Sequence, residues 1–432
     1  MQIAVIGAGI GGMAAAYDFL KAGHKVTLYE AADRVGGLAA GFKQPHWDWS
    51  VEYFYHHWFQ TDRDMLGLFD ELGVRDRVIF PRPKSVVHYN GKFYPLDSPA
   101  AALTFPGFNF FDMVRFGLVT VYLRYLARWQ DLEKHHADEW MHRWYGPRLY
   151  ETMFKPLLVG KFGPHYQEVN MAWMWARLKA RSTRLGTFQG GFQAFSDYLA
   201  EELRRLGAII CLSTPVQSIR PAAEGGLEVT TAGGTARYDQ VLATISPGLL
   251  ARMAPDLPQE YLQGLLSLKS MGAVVLTLSL KHQLSREGYY WFNLPKSAGY
   301  PFLALVEHTN FVSPENFGGE HIVYLGDYLD PDHEYFQLSK EELLERFLPS
   351  LKRFNPDFTP EWITGSWLYR TPYAQPIPLV NHSANIPDTR TPLPGLYFAS
   401  MSQVYPWDRG TNFAVQIARR TARRMLAESG AA

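Results

Sequence analysis

Gly7, Gly9 and Gly12 stand in the spacing G-x-G-x-x-G within GAGIGG, and the carboxylate of Glu30 follows eighteen residues after Gly12. Backbone that must approach a phosphate closely needs residues without side chains, and an acid beyond it can accept hydrogen bonds from a ribose. In that chemistry Gly7 permits a tight turn, Gly9 opens the backbone to a pyrophosphate, and Gly12 packs a helix against a strand, with Ala8, Ile10 and Gly11 as the intervening backbone. A glycine triplet alone says little, so its weight comes from the elements around it. QIAVIG is a short apolar run suited to a buried parallel strand, MAAAYDFLKAG has helical spacing and a closing glycine, and HKVTLYE is a second strand ending in the acid. The predicted βαβ unit places an anion on a helix N-terminus, where unpaired N–H groups and the helix dipole favour it.

Two further stretches belong with this unit. AADRVGGLAAGF brings Ala31, Arg34, Gly36, Gly37 and Leu38 just past Glu30, where the chain would run on along an extended ligand; read alone, VGG is equally a flexible turn. Near the other end, YPWDRGTNFAVQIARRTARRML reads as a loop of turn residues feeding a helix that begins at Thr411 and Asn412, with Asp408, Gly410 and Phe413 around its start. The adjacent His56 and His57 of DWSVEYFYHHWF face opposite ways on an extended segment and cannot both hold one ion, which leaves His56 as a candidate proton carrier and no metal site. No Ser-His-Asp order, zinc-ligand spacing or Walker loop demands another mechanism.

Composition limits the partners. Of 432 residues, 47% are hydrophobic and 19% charged, enough apolar material for two or three cores. Lys plus Arg (42) balances Asp plus Glu (42), so nothing global draws the chain to nucleic acid. The single Cys211 excludes a disulfide framework and suits a reducing, cytoplasmic compartment, and the N-terminus lacks the basic start of a secretory signal. Residues 86–187 open with a hairpin pattern around Asn90-Gly91 and then become helical and aromatic, while 251–384 alternate in the manner of strands. Within the first of these, FNFFDMVRFGLVTVYLRYLARW is interrupted by Asp112, Arg115, Arg124 and Arg128; it does not span a bilayer, and it reads either as a buried helix with basic ends or as a peripheral membrane contact.

Taken together, GAGIGG, Glu30 and DRVGG, with GGFQAFSDYLAEELRRLGAIICLSTPVQSI in mid-chain and YFASMSQVYPWDRGTNFAVQIARR at the end, resemble the flavin-containing amine oxidase, protoporphyrinogen oxidase and phytoene desaturase superfamily. The resemblance runs end to end through short motifs. It implies an α/β fold: a Rossmann-like FAD-binding domain built from 1–85, 188–250 and 385–432, interleaved with an α+β substrate domain whose helical part is 86–187 and sheet part 251–384. It implies FAD as cofactor, with Val216 presenting backbone to the adenine, Ser246 beside the cofactor, and Glu52 and Tyr53 approaching the flavin. The last helix would aim Gly410, Thr411, Asn412 and Phe413 at the flavin N1 and C2 carbonyl. Two positions depart from the family pattern: Ser400 and Met401 replace a Gly-Asp pair, which makes Asp408 a candidate substitute, and Ser50 stands where relatives carry glycine.

The implied reaction is hydride transfer to flavin N5 from a largely apolar amine, porphyrinogen or polyene, with oxygen or a quinone as electron acceptor. Arg177, on one helix face with Trp173 and Arg181, and Tyr373 of WLYRTPYAQPIP are the candidate cavity residues beside His56; arginines there suit an anionic group on the substrate. Two alternatives stay open. One is a redox-neutral nucleotide-sugar mutase, like UDP-galactopyranose mutase, holding a diphosphate with Arg177, Arg181 and Arg370; the other is a noncatalytic flavin-containing protein.

Overall fold

A computed structural model describes residues 1–96, 101, 104–180 and 182–430, so Arg181 lies outside the described residues. Its centre is a five-stranded, wholly parallel sheet. Strand β1 (Gln2–Ile6) runs into helix α1 (Ile10–Lys21) and then strand β2 (Lys25–Tyr29), which pairs alongside β1 from Gln2↔Lys25 to Ile6↔Tyr29. On the far side of β1 lie Gln240–Ala243 and then Leu396–Phe398; beyond β2 lies Ile209–Cys211. Strands buried on both faces need unbroken apolar runs, which is why Ile3, Ala4, Val5 and Leu242 are fully buried. Because all five strands point the same way, their C-terminal ends share one edge, and the chain leaves that edge in opposite directions on the two sides of β1. A crevice at such a reversal is where open parallel sheets bind ligands.

One face of the sheet carries α1 and the long C-terminal helix Thr411–Gly430, whose Val415, Ala418 and Ala422 are buried in the same core as Ala14, Ala15 and Ala16 of α1. Alanines on both surfaces let the helix axes come close. Arg419 locks the pair, donating to Asp18 (2.7 Å) and to Glu71 (2.8 Å) of the helix Arg63–Glu71. The three-stranded meander Val216–Tyr238 packs over another part of the same domain with Ala4, Val241 and Phe398.

A second, seven-stranded sheet is ordered Ile363–Pro376, Ser270–Leu280, His321–Leu329, Ala304–Glu307, Tyr289–Asn293, Lys84–Tyr89 and Lys92–Pro95. Its pairs are antiparallel except the one joining Tyr289–Asn293 to Lys84–Tyr89. The expected turn is present, with Asn90 and Gly91 both at positive φ (47° and 78°) as a two-residue hairpin loop requires. This hairpin belongs to the sheet and not to the helical part that follows it, because its ladder continues onto residues 289–293. Helices between 110 and 180 form a layer on this sheet, with Trp173, Met174, Phe162 and Tyr145 packed in one core with Met271, Ala273 and Tyr328.

Candidate functional site

The glycine loop occupies the shared C-terminal edge. Gly7 sits at φ 99° and donates its N–H to the Tyr29 carbonyl (2.8 Å), turning the chain out of β1 and into α1. The Thr244 hydroxyl, arriving from the neighbouring strand, donates to the carbonyls of Ile6 (3.0 Å) and Gly7 (3.1 Å). A Cβ on Gly12 would stand 2.2 Å from the Gly7 carbonyl oxygen, and one on Gly11 would stand 2.8 Å from the carbonyl oxygen of Ala414, in the first turn of the C-terminal helix. Internal packing therefore accounts for both glycines. Gly9 differs: its φ is −68°, and a Cβ there would meet nothing nearer than 3.9 Å. Neither backbone conformation nor the protein's own packing requires glycine at position 9. Gly9 also begins a helix that no side chain caps. An anion at this helix N-terminus explains both observations together.

Around the loop, Glu30 accepts hydrogen bonds on one carboxylate oxygen from the Ala8 N–H (2.8 Å) and on the other from the Ala32 N–H (2.9 Å), with Ala31 exposed beside it. Each oxygen retains acceptor capacity for a ribose. The DRVGG segment is no slack turn. Gly36 donates to the Ala8 carbonyl (2.9 Å), Gly37 lies so close that its Cβ would be 3.1 Å from the Gly9 Cα, and Arg34 donates to the Gly41 carbonyl (2.9 Å). Leu38 then lines a cavity. Thr214 donates its N–H to the Glu30 carbonyl (2.8 Å), which brings the start of the meander at Val216 beside this edge. The Ser246 hydroxyl caps the helix Pro247–Met253 by accepting from Leu249 N–H.

Several expected contacts are made otherwise. Glu52 is fully buried and accepts from the Phe192 N–H (3.0 Å) and the Tyr324 hydroxyl (3.3 Å); it joins the helix Gly191–Arg205 to the larger sheet, and burial pushes its carboxyl up to about 7. Tyr53 stacks on Tyr369 at 4.1 Å between ring centroids. Thr411 accepts on its hydroxyl from the Trp58 indole (2.7 Å), and Asn412 is buried with its amide oxygen accepting from the Met65 N–H (2.9 Å). Both side chains accept in these bonds, which leaves the Thr411 hydroxyl hydrogen, the Asn412 amide NH2 and the backbone of this helix start as donors. Phe413 stacks on Trp407 (5.5 Å, 7° between planes).

The candidate catalytic residues need similar correction. The Tyr373 hydroxyl is held by Ser400 Oγ (2.9 Å), Ser402 Oγ (2.8 Å) and the Ser402 N–H (2.9 Å), so it fixes the turn that Ser400 opens and Met401 continues. Arg177 is buried and donates to Asp408 (3.0 Å), lying over the Trp173 ring. Asp408 is thus a counter-ion to Arg177. Arg370 donates to the Leu338 carbonyl. Arg177 and Arg370 thus have different partners, and the buried Nε of Arg370 has no hydrogen-bond partner among the described residues. His56 donates from Nδ1 to the Phe54 carbonyl, which leaves Nε2 as an acceptor; burial pushes the ring down to about 4, so it is neutral at physiological pH and serves as no acid there.

Two cavities meet beyond this edge. One is walled by Leu38, Phe54, His56, Val275, Asp327 and Tyr328, the other by Trp173, Pro376, Met401, Tyr405 and Trp407. Arg409 borders both. Sequence reasoning passed over it although DRG was in view, since what distinguishes it is supplied by Gln375 and Tyr328 from distant strands. Among the described residues no group of His, Cys, Asp and Glu could hold a metal.

A family model for flavin containing amine oxidoreductases matches residues 10–426. The 15-cis-phytoene desaturase of Capsicum annuum is 37% identical over 108 residues, 23% of this chain and 18% of that protein. This match therefore takes in less than a fifth of that relative's length. Among solved structures, a protein described as a protoporphyrinogen oxidase from Exiguobacterium sp. 255-15 superposes with a TM-score of 0.78 at 18% identity, covering 99% of both chains. A reduced UDP-galactopyranose mutase superposes with a TM-score of 0.77 at 16% identity, covering 99% of this chain and 96% of the other. At such identities these two likenesses concern the fold.

Proposed function

Since this chain belongs to the flavin-containing amine oxidoreductases, we propose that it uses FAD to remove hydrogen from a largely apolar small molecule. One observation carries the proposal: the first turns of α1 and of the C-terminal helix abut at Gly11 and Ala414, beside the crevice of the parallel sheet, and Leu38 just past the glycine loop lines a cavity. A long dinucleotide laid across that edge would meet both helix starts. In this reading the Gly7–Gly12 loop holds the pyrophosphate and Glu30 the ribose. Backbone N–H groups at Gly410–Phe413 favour negative charge at the ring's far edge. When bound, FAD supplies the two-electron acceptor, and oxygen or a quinone would then reoxidise it.

The chain's own residues do the rest. Leu38, Phe54, Val275 and Ala374 exclude water and orient an apolar substrate, while neutral His56 can accept a hydrogen bond at Nε2. Dehydrogenation is favoured over nucleotide-sugar isomerisation because Arg177, one of the arginines a diphosphate would need, is already paired with Asp408. Peripheral contact with a membrane is part of the same reading. No helix among the described residues is long and apolar enough to cross one. However, Phe110, Phe111, Leu118, Tyr125 and Leu126, on the helix Phe110–Val121 and the turn after it, are 68–78% exposed.

The test is spectroscopic. Purified protein should be yellow, should release FAD on denaturation, and should bleach anaerobically with a member of one of three substrate sets: amines, porphyrinogens or polyenes. A colourless preparation that cannot be reconstituted sinks the proposal. Turnover of a nucleotide sugar that needs prereduced flavin and no acceptor would replace it with the isomerase.

A further inference from the structure

Arg409, which borders both cavities, and Arg177 near them differ in what neutralises them. Arg177 has Asp408 at 3.0 Å. Arg409 is held by neutral groups: its Nε donates to Gln375 Oε1 (2.8 Å), its Nη2 donates to the Tyr328 hydroxyl, and the guanidinium stands over the Tyr328 ring, 4.9 Å from its centroid. No ion pair joins it to a carboxylate among the described residues, since its neighbour Asp408 pairs with Arg177 and meets Arg409 only through the backbone N–H (3.0 Å). The Lys161 ammonium stands over the same ring, at 4.2 Å. Two cations thus meet one phenol ring, and Asp327, paired with Lys296, lines the same chamber.

Its orientation is fixed rather than incidental. Gln375 donates its amide NH2 to Asp408 (3.1 Å), which forces its oxygen toward Arg409. The chain Arg177–Asp408–Gln375–Arg409 thus uses up the acid on one arginine and aims the other. Burial pushes the Arg409 guanidinium down to about 10, so it stays charged at neutral pH. A partly buried cation held by neutral side chains is costly, and the cost is usually offset by an anion.

We propose that Arg409 is the anion anchor of the cavity, binding the carboxylate or phosphate group of an otherwise apolar substrate at the junction of the two chambers. It rests on the flavin-linked oxidation proposed above and specifies the substrate class. A planar fork of donors suits either oxyanion, and the apolar walls on both sides accommodate the remainder.

The experiment titrates holoenzyme with benzoate and with its neutral isostere benzamide, following the flavin absorption band, for wild type, Arg409→Gln and Arg409→Lys. Benzoate should bind the wild type more tightly than benzamide. Arg409→Gln should weaken benzoate by about tenfold or more, as loss of a charge-assisted contact implies, and leave benzamide unchanged. Arg409→Lys, which keeps the charge and guards against misfolding of the glutamine variant, should restore part of the affinity. Equal binding of the two probes to the wild type, or unaltered benzoate binding in Arg409→Gln, overturns the proposal. So does a variant that shifts the flavin midpoint potential while binding benzoate as before, because the cation would then serve the cofactor. Protein that holds no flavin defeats the oxidoreductase reading instead, and calorimetry of benzoate against benzamide still decides the role of Arg409.

Discussion

Single residues here divide by whether the protein itself explains them. Gly12 is required by a carbonyl oxygen 2.2 Å from where its Cβ would lie, whereas Gly9 has room for one. Gly9→Val should therefore keep the fold, with the flavin-free protein melting within a few degrees of the wild type, yet retain less than about a tenth of its flavin because the side chain takes the space of the pyrophosphate. Gly12→Val should fail to fold. Absorbance ratios and thermal melts of the two variants separate these outcomes, and wild-type flavin content in Gly9→Val would remove the site. Gly7, Gly12 and Glu30 were legible in the sequence because their contacts are local, set within one strand-turn-helix-strand, whereas the contact that requires Gly11 comes from Ala414. Arg177, Tyr373 and Asp408 were legible as residue types but not as roles. Each is satisfied by a partner far along the chain, such as Asp408 for Arg177 and Ser400 for Tyr373, and no local pattern announces such a pairing.

Among the elements, the helix Phe110–Val121 is the one that departs most from what a packed core needs. Its inner side, Phe116 and Val119, packs against the core that includes Trp173, while its outer side leaves large apolar groups in water. The sequence left a buried and an interfacial helix open, since composition is the same for both and only the tertiary contacts distinguish them. Exposed Arg124 and Arg128 beside Tyr125 and Leu126 give that face the cationic rim suited to an anionic bilayer. The protein should float with vesicles of phosphatidylglycerol and phosphatidylcholine, and the variant Phe111→Ser/Leu118→Ser/Leu126→Ser should lose most of that binding while keeping its flavin spectrum. Binding that survives the triple change, or a face found covered by a second copy of the chain in solution, would refute membrane docking.

At the scale of the whole molecule, stability is tied to one buried carboxyl that joins the two sheets' domains. Glu52 in the folded protein is pushed up to about 7, against 4.5 when exposed, so the folded state holds a proton that the unfolded state releases. Its contribution is complete below about pH 4.5 and is lost as pH rises through about 7. Glu52→Gln keeps an acceptor for the Phe192 N–H and has no proton to lose. Relative to the wild type it should gain stability between those limits, on the order of 3 kcal/mol at most, read from denaturant midpoints at pH 4.5, 6 and 8. A difference independent of pH would contradict the assignment. The interleaved architecture also has a consequence in time. Gly11 waits for Ala414, and the parallel sheet waits for Leu396–Phe398, so a nascent chain emerging from the ribosome exposes its glycine loop, with nothing to complete it, until those residues follow. Capture of a cofactor at this loop would then wait until residues 396–414 are free, and chaperone demand should fall on the polypeptide until that point.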